Sequence, residues 1–348
     1  MTLSTTIRQF WRQHGLGGKF ALVVIGMWIL AAVASYLPGL TSYAYDEVLG
    51  GVSSLQPPLS PGERGIHWLG TDSLGRDVWA GMLHGAGVSL VLSLGVIAAS
   101  VAIGLLIGMM MGYFGDRGFR LNVPQYIWLF LIVYLLTYYK TDVLLRGWSW
   151  WSSAVTVLLT VALFSGWYIL GKLSLWRYVV PVDAIWQRVF EVKESLPNLF
   201  LLLAIAAIIA KPSVWTLSLT LIVLYWVTFA RFARAEVQQI LAEDYIAAAN
   251  AQGLSTMAVM FKHVLPNMIN PILVVVAFSL SGVILVEASL SFLGIGLPLG
   301  EVTWGKILSE ARKHNEAWWL ALFPGLAIFA LIFAFNKVAD IIRDTTYR

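Results

Sequence analysis

The 348-residue chain has no cysteine, so neither disulfides nor thiolate-held metals play a part in it. Charge is scarce as well. Asp, Glu, Lys and Arg make up 12% of the residues against 59% hydrophobic, and the mean hydropathy is +0.77. A chain so short of charge cannot clothe the two soluble domains its length would allow, which leaves an integral membrane protein. The histidines, at 14, 67, 84, 263 and 314, show no paired ligand spacing, and no metal site is expected. The phosphate loop G-x-x-x-x-G-K-[ST] is missing, because Gly18-Lys19 runs into Phe20 and Gln13 stands where the first glycine should be. No G-x-S-x-G nucleophile elbow exists either, so no catalytic residue is expected. The net charge of +4 bears on membrane orientation, not on nucleic acid.

What the chain does have is long apolar runs. Residues 1–19 are polar, with Arg8, Arg12 and Lys19, and precede a first apolar span at 20–37. The run is long and lacks a clean small-residue cleavage site, so an uncleaved span with a cytoplasmic N-terminus is expected, not a signal peptide. A polar loop at 38–87 follows, on the outer side if the first span runs outward. The second span, 88–113, carries Gly104, Gly108 and Gly112 every four residues, which lets a neighbouring helix approach one face closely. Further spans are expected at about Leu196–Ala210, Val214–Phe232, Pro271–Leu293 and Leu320–Val338, and both termini on the cytoplasmic side.

Between the fourth and fifth of these spans lies a polar stretch, Leu241 to Asn267. Ala247, Ala248 and Ala249 are followed by Gly253, and further on by His263, Val264, Leu265 and Pro266. The spacing predicts two short helices with a bend at Gly253, a cap on the second from Ser255, and a helix restart at Pro266. Met257, Met260, Phe261 and Val264 share one face by the i, i+3, i+4, i+7 rule. The stretch could be a plain alanine-rich connector. It also resembles the EAA loop of ABC-importer permeases, where A-A-x-x-x-G and a later Leu-Pro dock onto an ATP-hydrolysing subunit.

Other motifs resemble one branch of that family, the peptide and nickel permeases of the dipeptide C-subunit type. Leu69-Gly70-Thr71-Asp72 followed by Gly75-Arg76-Asp77 is similar to its L-G-T-D-x-x-G-R-D signature; read locally, Thr71 and Asp72 would begin a helix while Arg76 and Asp77 make ion pairs. Glu287-Ala288 through Gly294 is similar to its E-A-x-L-S-F-L-G segment. Glu287, with Ser291 one turn on, has two readings, a buried interhelix group or a residue facing the solute, and Glu194 is a second candidate for the path. The G-Y-x-G turn at Gly112–Gly115 is separated here from its V-D-x-x-x-x-R partner at Val182–Arg188. The intervening 114–182 carries two apolar runs, about Pro124–Tyr139 and Ser153–Gly171, expected as an inserted hairpin, the first short enough to be re-entrant.

The resemblance implies an all-α membrane protein, a six-helix type I importer core with about two inserted helices, divided as 1–19, 20–37, 38–87, 88–113, 114–182 and 183–348. The coupling loop would lie at 235–266, with Tyr245 among its residues. It implies a permease in the bacterial inner membrane that works with a second permease subunit, two ATP-binding subunits and an extracytoplasmic solute-binding protein. ATP and magnesium would sit on the partners and no cofactor on this chain. Cargo would be peptide-like or nickel-like. An ion-driven secondary transporter is the competing reading, for which Glu194 and Glu287 would be the ionisable groups.

Overall fold

The computed structural model describes residues 15–37, 41–49, 54–116, 119–122, 177–208, 213–295 and 300–346, with isolated positions between 155 and 168 and at 298. The first apolar run of the expected insertion, Pro124–Tyr139, lies outside the described residues; of the second, Ser153–Gly171, residues 155, 158–163, 165, 166 and 168 are described, and they are helical. Two compact units are present, one made of residues 1–109 with 193–348 and the other of 110–192.

Among the described residues, five helices are long and apolar enough to cross a membrane: α1 (Gly15–Ala34), α2 (Val78–Phe114), α5 (Val214–Leu241), the run Thr256–Phe292, and α10 (Trp319–Thr346). The run Leu196–Ala210 is a helix only over α4 (Asn198–Ile208), eleven residues among those described. Among the described residues, strands form two short antiparallel pairs. Strands β1 (Ser60–Pro61) and β2 (Ile66–His67) pair before α2, and β3 (Phe119–Asn122) and β4 (Arg177–Val180) pair after it.

The larger unit is built on α8 (Leu265–Phe292), which packs along α10 and α5, while α1 lies against α10. Its core joins Trp28, Leu92, Val96, Leu221, Phe229, Val283, Ile284 and Leu331. Gly104 and Gly108 sit against α5, where a Cβ on Gly104 would come within 2.8 Å of the Trp226 carbonyl and one on Gly108 would strike the Ala230 carbonyl. Small residues there replace side-chain packing by backbone contact, as membrane helix pairs require. Large apolar side chains such as Leu106, Leu219, Leu285 and Phe329 point outward. In water such a surface would be an aggregation hazard; in lipid it is the solvated face.

Several element ends differ from the sequence expectation. Helix α2 starts at Val78, ten residues before the apolar run, because Asp77 Oδ1 accepts from Ala80 N at 2.8 Å and caps it. Thr71 and Asp72 therefore stand in the turn before that helix, not at its start. Helix α5 continues past Arg231 and Arg234 to Leu241, and at its other end Ser213 and Thr216 form a reciprocal capping box.

In the smaller unit, β3 and β4 pair over Phe119↔Val180 to Asn122↔Arg177, so the chain departs and returns at one point. Asp116 Oδ1 accepts from Ala184 N at 2.9 Å beside that ladder, and Gly115 O accepts from Asp183 N. This joins the Gly115 turn to the start of α3 (Val182–Glu194), the two motif halves that are 66 residues apart in the chain.

Candidate functional site

At one end of the larger unit, beyond α5, the segment 241–267 forms α6 (Asp244–Ala251), a bend, and α7 (Thr256–Val259). Gly253 has φ +80°, with open space where a Cβ would project, so the bend depends on backbone freedom and not on crowding. Ser255 accepts from Ala258 N and caps α7. The second helix does not stop before the membrane. It passes through a π turn (Met260–Val264), in which Leu265 N–H reaches Met260 O, and joins α8 directly, with Pro266 in its first turn. Proline has no N–H to offer the carbonyl four residues back, which favours a widened turn just ahead of it.

The expected four-residue face splits. Met260 and Val264 are buried, whereas Met257 and Phe261 are 66% and 57% exposed. The four positions span about 100° of helix circumference, and the bundle surface cuts through that arc. In α6, Ile246 and Ala249 face the bundle while Tyr245, Ala247 and Ala248 face outward. Tyr245 Oη accepts from Asn267 Nδ2 at 3.2 Å, and the same amide nitrogen donates to His263 O at 2.6 Å. Tyr245, His263 and the turn before α8 are thereby brought together. Asn267 gave no sign of this role in the sequence, since a lone amide next to Leu-Pro matches no spacing rule.

At the opposite end, the Gly70–Asp77 motif is the hub of a cap. Gly70 takes φ +83°, and an added Cβ would come within 2.6 Å of Gln56 O and 2.9 Å of Trp319 Nε1. Thr71 is fully buried: its Oγ1 accepts from Gln56 N, and its carbonyl accepts from Trp319 Nε1 at 3.0 Å. Asp72 accepts from Leu74 N and Arg76 N through Oδ1 and from the Arg76 guanidinium through Oδ2 at 2.7 Å. Asp77 Oδ2 pairs with buried His67 Nδ1 at 2.8 Å, not with Arg76, and His67 stacks on Tyr43. Gly75, φ +77°, closes the turn between them.

The cap also holds α9 (Trp304–Ala311), whose Glu310 accepts from Ser73 Oγ at 2.8 Å. Burial works against ionisation of Glu310, but hydrogen bonds from Ser73 and Lys313 and the charges of Lys313 and Arg76 outweigh it, leaving the carboxyl below its usual range. Lys306 moves down as well, first through burial and then through Arg76, while its Nζ donates to the Glu301 and Pro298 carbonyls.

Of the two carboxylates marked for the path, Glu287 is 1% exposed and accepts from Ser291 Oγ at 2.8 Å. Glu194 is 43% exposed and pairs with Arg231 at 2.7 Å, both within the larger unit, while Arg188 pairs with Glu191. Among the described residues, no group of three or more His, Asp or Glu side chains is arranged to hold a metal. A cavity of about 340 Å³ lies among Leu202, Ala206, Thr216, Thr220, Leu290 and Ile295. Its two threonine hydroxyls bond to their own helix or its cap, so its walls are apolar.

Residues 168–346, half of the chain, match the family described as binding-protein-dependent transport system inner membrane components. The chain belongs to that family. The match takes in the 241–267 segment, α8 with Glu287, and α10; the cap motif lies before it. Over nearly its full length the chain is 27% identical to a dipeptide transport system permease of Alkalihalophilus pseudofirmus, covering 94% of this chain and 85% of the relative. It is 26% identical to a di/tripeptide transport system permease of Pseudomonas aeruginosa, covering 97% and 90%. A glutathione transport system permease of Pectobacterium atrosepticum is also 26% identical, covering 99% and 91%. The protein is thus a multi-pass inner membrane permease subunit of an ABC importer. Membership decides against the ion-driven reading.

Proposed function

We propose that the protein forms half of the translocation path of a peptide importer and takes its energy from ATP bound and hydrolysed, with magnesium, on separate subunits. Its partners would be a second permease, two ATPases and an outer binding protein that selects the cargo. The names of the relatives favour short peptides over nickel as that cargo. No ATP chemistry is assigned to this chain, whose sequence lacks a phosphate loop.

The single observation that carries this reading is the build of the 241–267 segment. Outward-facing Tyr245, Ala247, Ala248, Met257 and Phe261 make a small apolar surface at the end of the bundle, suited to a partner's groove. Val259, Val264 and Met268 root the same segment in the bundle, and the π turn makes it continuous with α8. A push on α6 and α7 is therefore delivered to the central helix of the core, as a lever between inward-open and outward-open states requires. In this reading the segment is cytoplasmic, both termini lie on the same side, and the cap is outside.

Co-purification tests it. The complex pulled down through this chain should contain an ATPase, and Gly253→Asp, which forces a side chain onto φ +80°, should lose the ATPase while membrane insertion persists. An ATPase retained in full by the variant would overturn the assignment of the segment.

A further inference from the structure

The β1–β2 hairpin keeps a polar ring inside and its apolar side chains outside. His67 is fully buried, with Nδ1 2.8 Å from Asp77 Oδ2 and its ring stacked on Tyr43. Its neighbours Ile66 and Trp68 are instead 46% and 58% exposed. Pro61, opposite Ile66 in the ladder, is exposed too, and so is Leu59, at 66%, whose N–H donates to His67 O at 2.8 Å. Leu59 also takes φ +67°, a left-handed backbone that leucine rarely adopts. Glycine or asparagine would suit both that backbone and water, so neither burial nor local preference explains a leucine there. Backbone strain spent on displaying an apolar side chain points to a use for it.

The ridge is held stiffly and clear of the lipid. Gly62 N–H donates to Gly65 O at 2.8 Å, a Cβ on Gly62 would fall 2.5 Å from His67 Nε2, and Tyr43 Oη accepts from Arg64 N at 2.8 Å. A surface fixed in this way loses little freedom on docking. The helical residues 78–87 place Asp77, and the hairpin pinned to it, about 15 Å beyond the apolar run that begins at Val88. An apolar ridge at that height meets water and calls for a covering partner. Around it stand Asp46, Glu47 and Glu63 against the one guanidinium of Arg64, which pairs with Glu47 at 2.8 Å. An acidic rim of this kind is repelled by an anionic bilayer and attracted to a basic protein face. We propose that the ridge is the seat of the extracytoplasmic binding protein, which would meet it with an apolar patch edged by lysine or arginine. The proposal rests on the importer reading above, which puts the cap outside, and the family to which the chain belongs is binding-protein-dependent. A tryptophan among apolar neighbours inside a charged rim is the build of an interface centre. Because Asp77 also caps α2, the seat is joined directly to a membrane span.

The test titrates the importer's purified binding protein onto the whole complex in lipid nanodiscs. Trp68→Ala should raise the concentration that gives half-maximal stimulation of ATP hydrolysis by about tenfold or more, and Ile66→Ser should raise it less. Glu63→Lys should slow association at low salt and have little effect at high salt. The thermal midpoint should hold in all three, since the buried bonds of Thr71, Asp72 and Asp77 are untouched. The native absence of cysteine allows a second measurement, in which a photo-crosslinker on Glu63→Cys should attach the binding protein. Equal half-maximal concentrations for the natural and Trp68→Ala complexes, or crosslinks only to lipid or to the second permease, overturn the docking seat and leave the importer reading intact. A natural complex whose ATP hydrolysis and peptide uptake do not respond to the binding protein takes both down.

Discussion

The two ends of the larger unit are built on opposite plans. At the cap, Gly70, Thr71, Asp72 and Asp77 are enclosed by Gln56, His67 and Trp319, and the side-chain oxygens of Thr71, Asp72 and Asp77 are all bonded within this chain. At the coupling segment, Gly253 has open space around it, and Tyr245, Met257 and Phe261 are left outside. The cap is closed by contacts within this chain; on the function proposed above, the 241–267 segment is completed by a partner that covers it. Substitutions at the cap should therefore register as lost stability, and those at the coupling segment as lost association.

The largest effect that would sharpen this contrast is expected from Gly70→Val. A β-branched residue at φ +83° against Gln56 O should cost about 4 kcal/mol and open the cap, seen as rapid alkylation of a cysteine introduced at Val302. Trp319→Phe keeps the ring packing but strands the buried Thr71 carbonyl, for about 2 kcal/mol and a lower thermal midpoint in detergent. Gly253→Ala should cost only about 1 kcal/mol, read as weakened ATPase capture with an unchanged thermal midpoint. A fall in that midpoint as large as the one from Trp319→Phe would break the comparison.

Smaller effects follow from single polar contacts. Tyr245→Phe removes a partly exposed bond to Asn267, worth about 0.5 kcal/mol, and should loosen ATPase capture slightly without altering insertion. Acid gives the mildest test of the cap. Because the Glu310 carboxyl is held below its usual value of 4.5, its contribution is present above that pH and is lost as the pH falls through the depressed value. Proteolysis of the 301–318 region should accelerate below about pH 4.5, and Glu310→Gln should remove most of that dependence.

Much of this was legible in the residues. The apolar runs at 20–37, 88–113, 214–232, 271–293 and 320–338 announced membrane-length helices, and Gly104 and Gly108 announced a close helix contact, because both signals are local. The bend at Gly253 and the cap at Ser255 were legible for the same reason. The start of α2 was not, since hydropathy marks where lipid begins whereas the helix begins where Asp77 satisfies its first amides. The partner of Asp77 was hidden as well: Arg76 is adjacent in sequence, but the β1–β2 turn carries His67 to it.

Sequence alone determined the membrane class, the family motifs and the bend at Gly253, because composition and short-range backbone preference act without knowledge of distant residues. Tertiary structure alone decided what the motifs touch: Trp319 on Thr71, Asn267 on Tyr245, Gly305 on Ala288. Those contacts join residues up to 248 positions apart, and a side chain's role there depends on which surfaces the helices bring face to face.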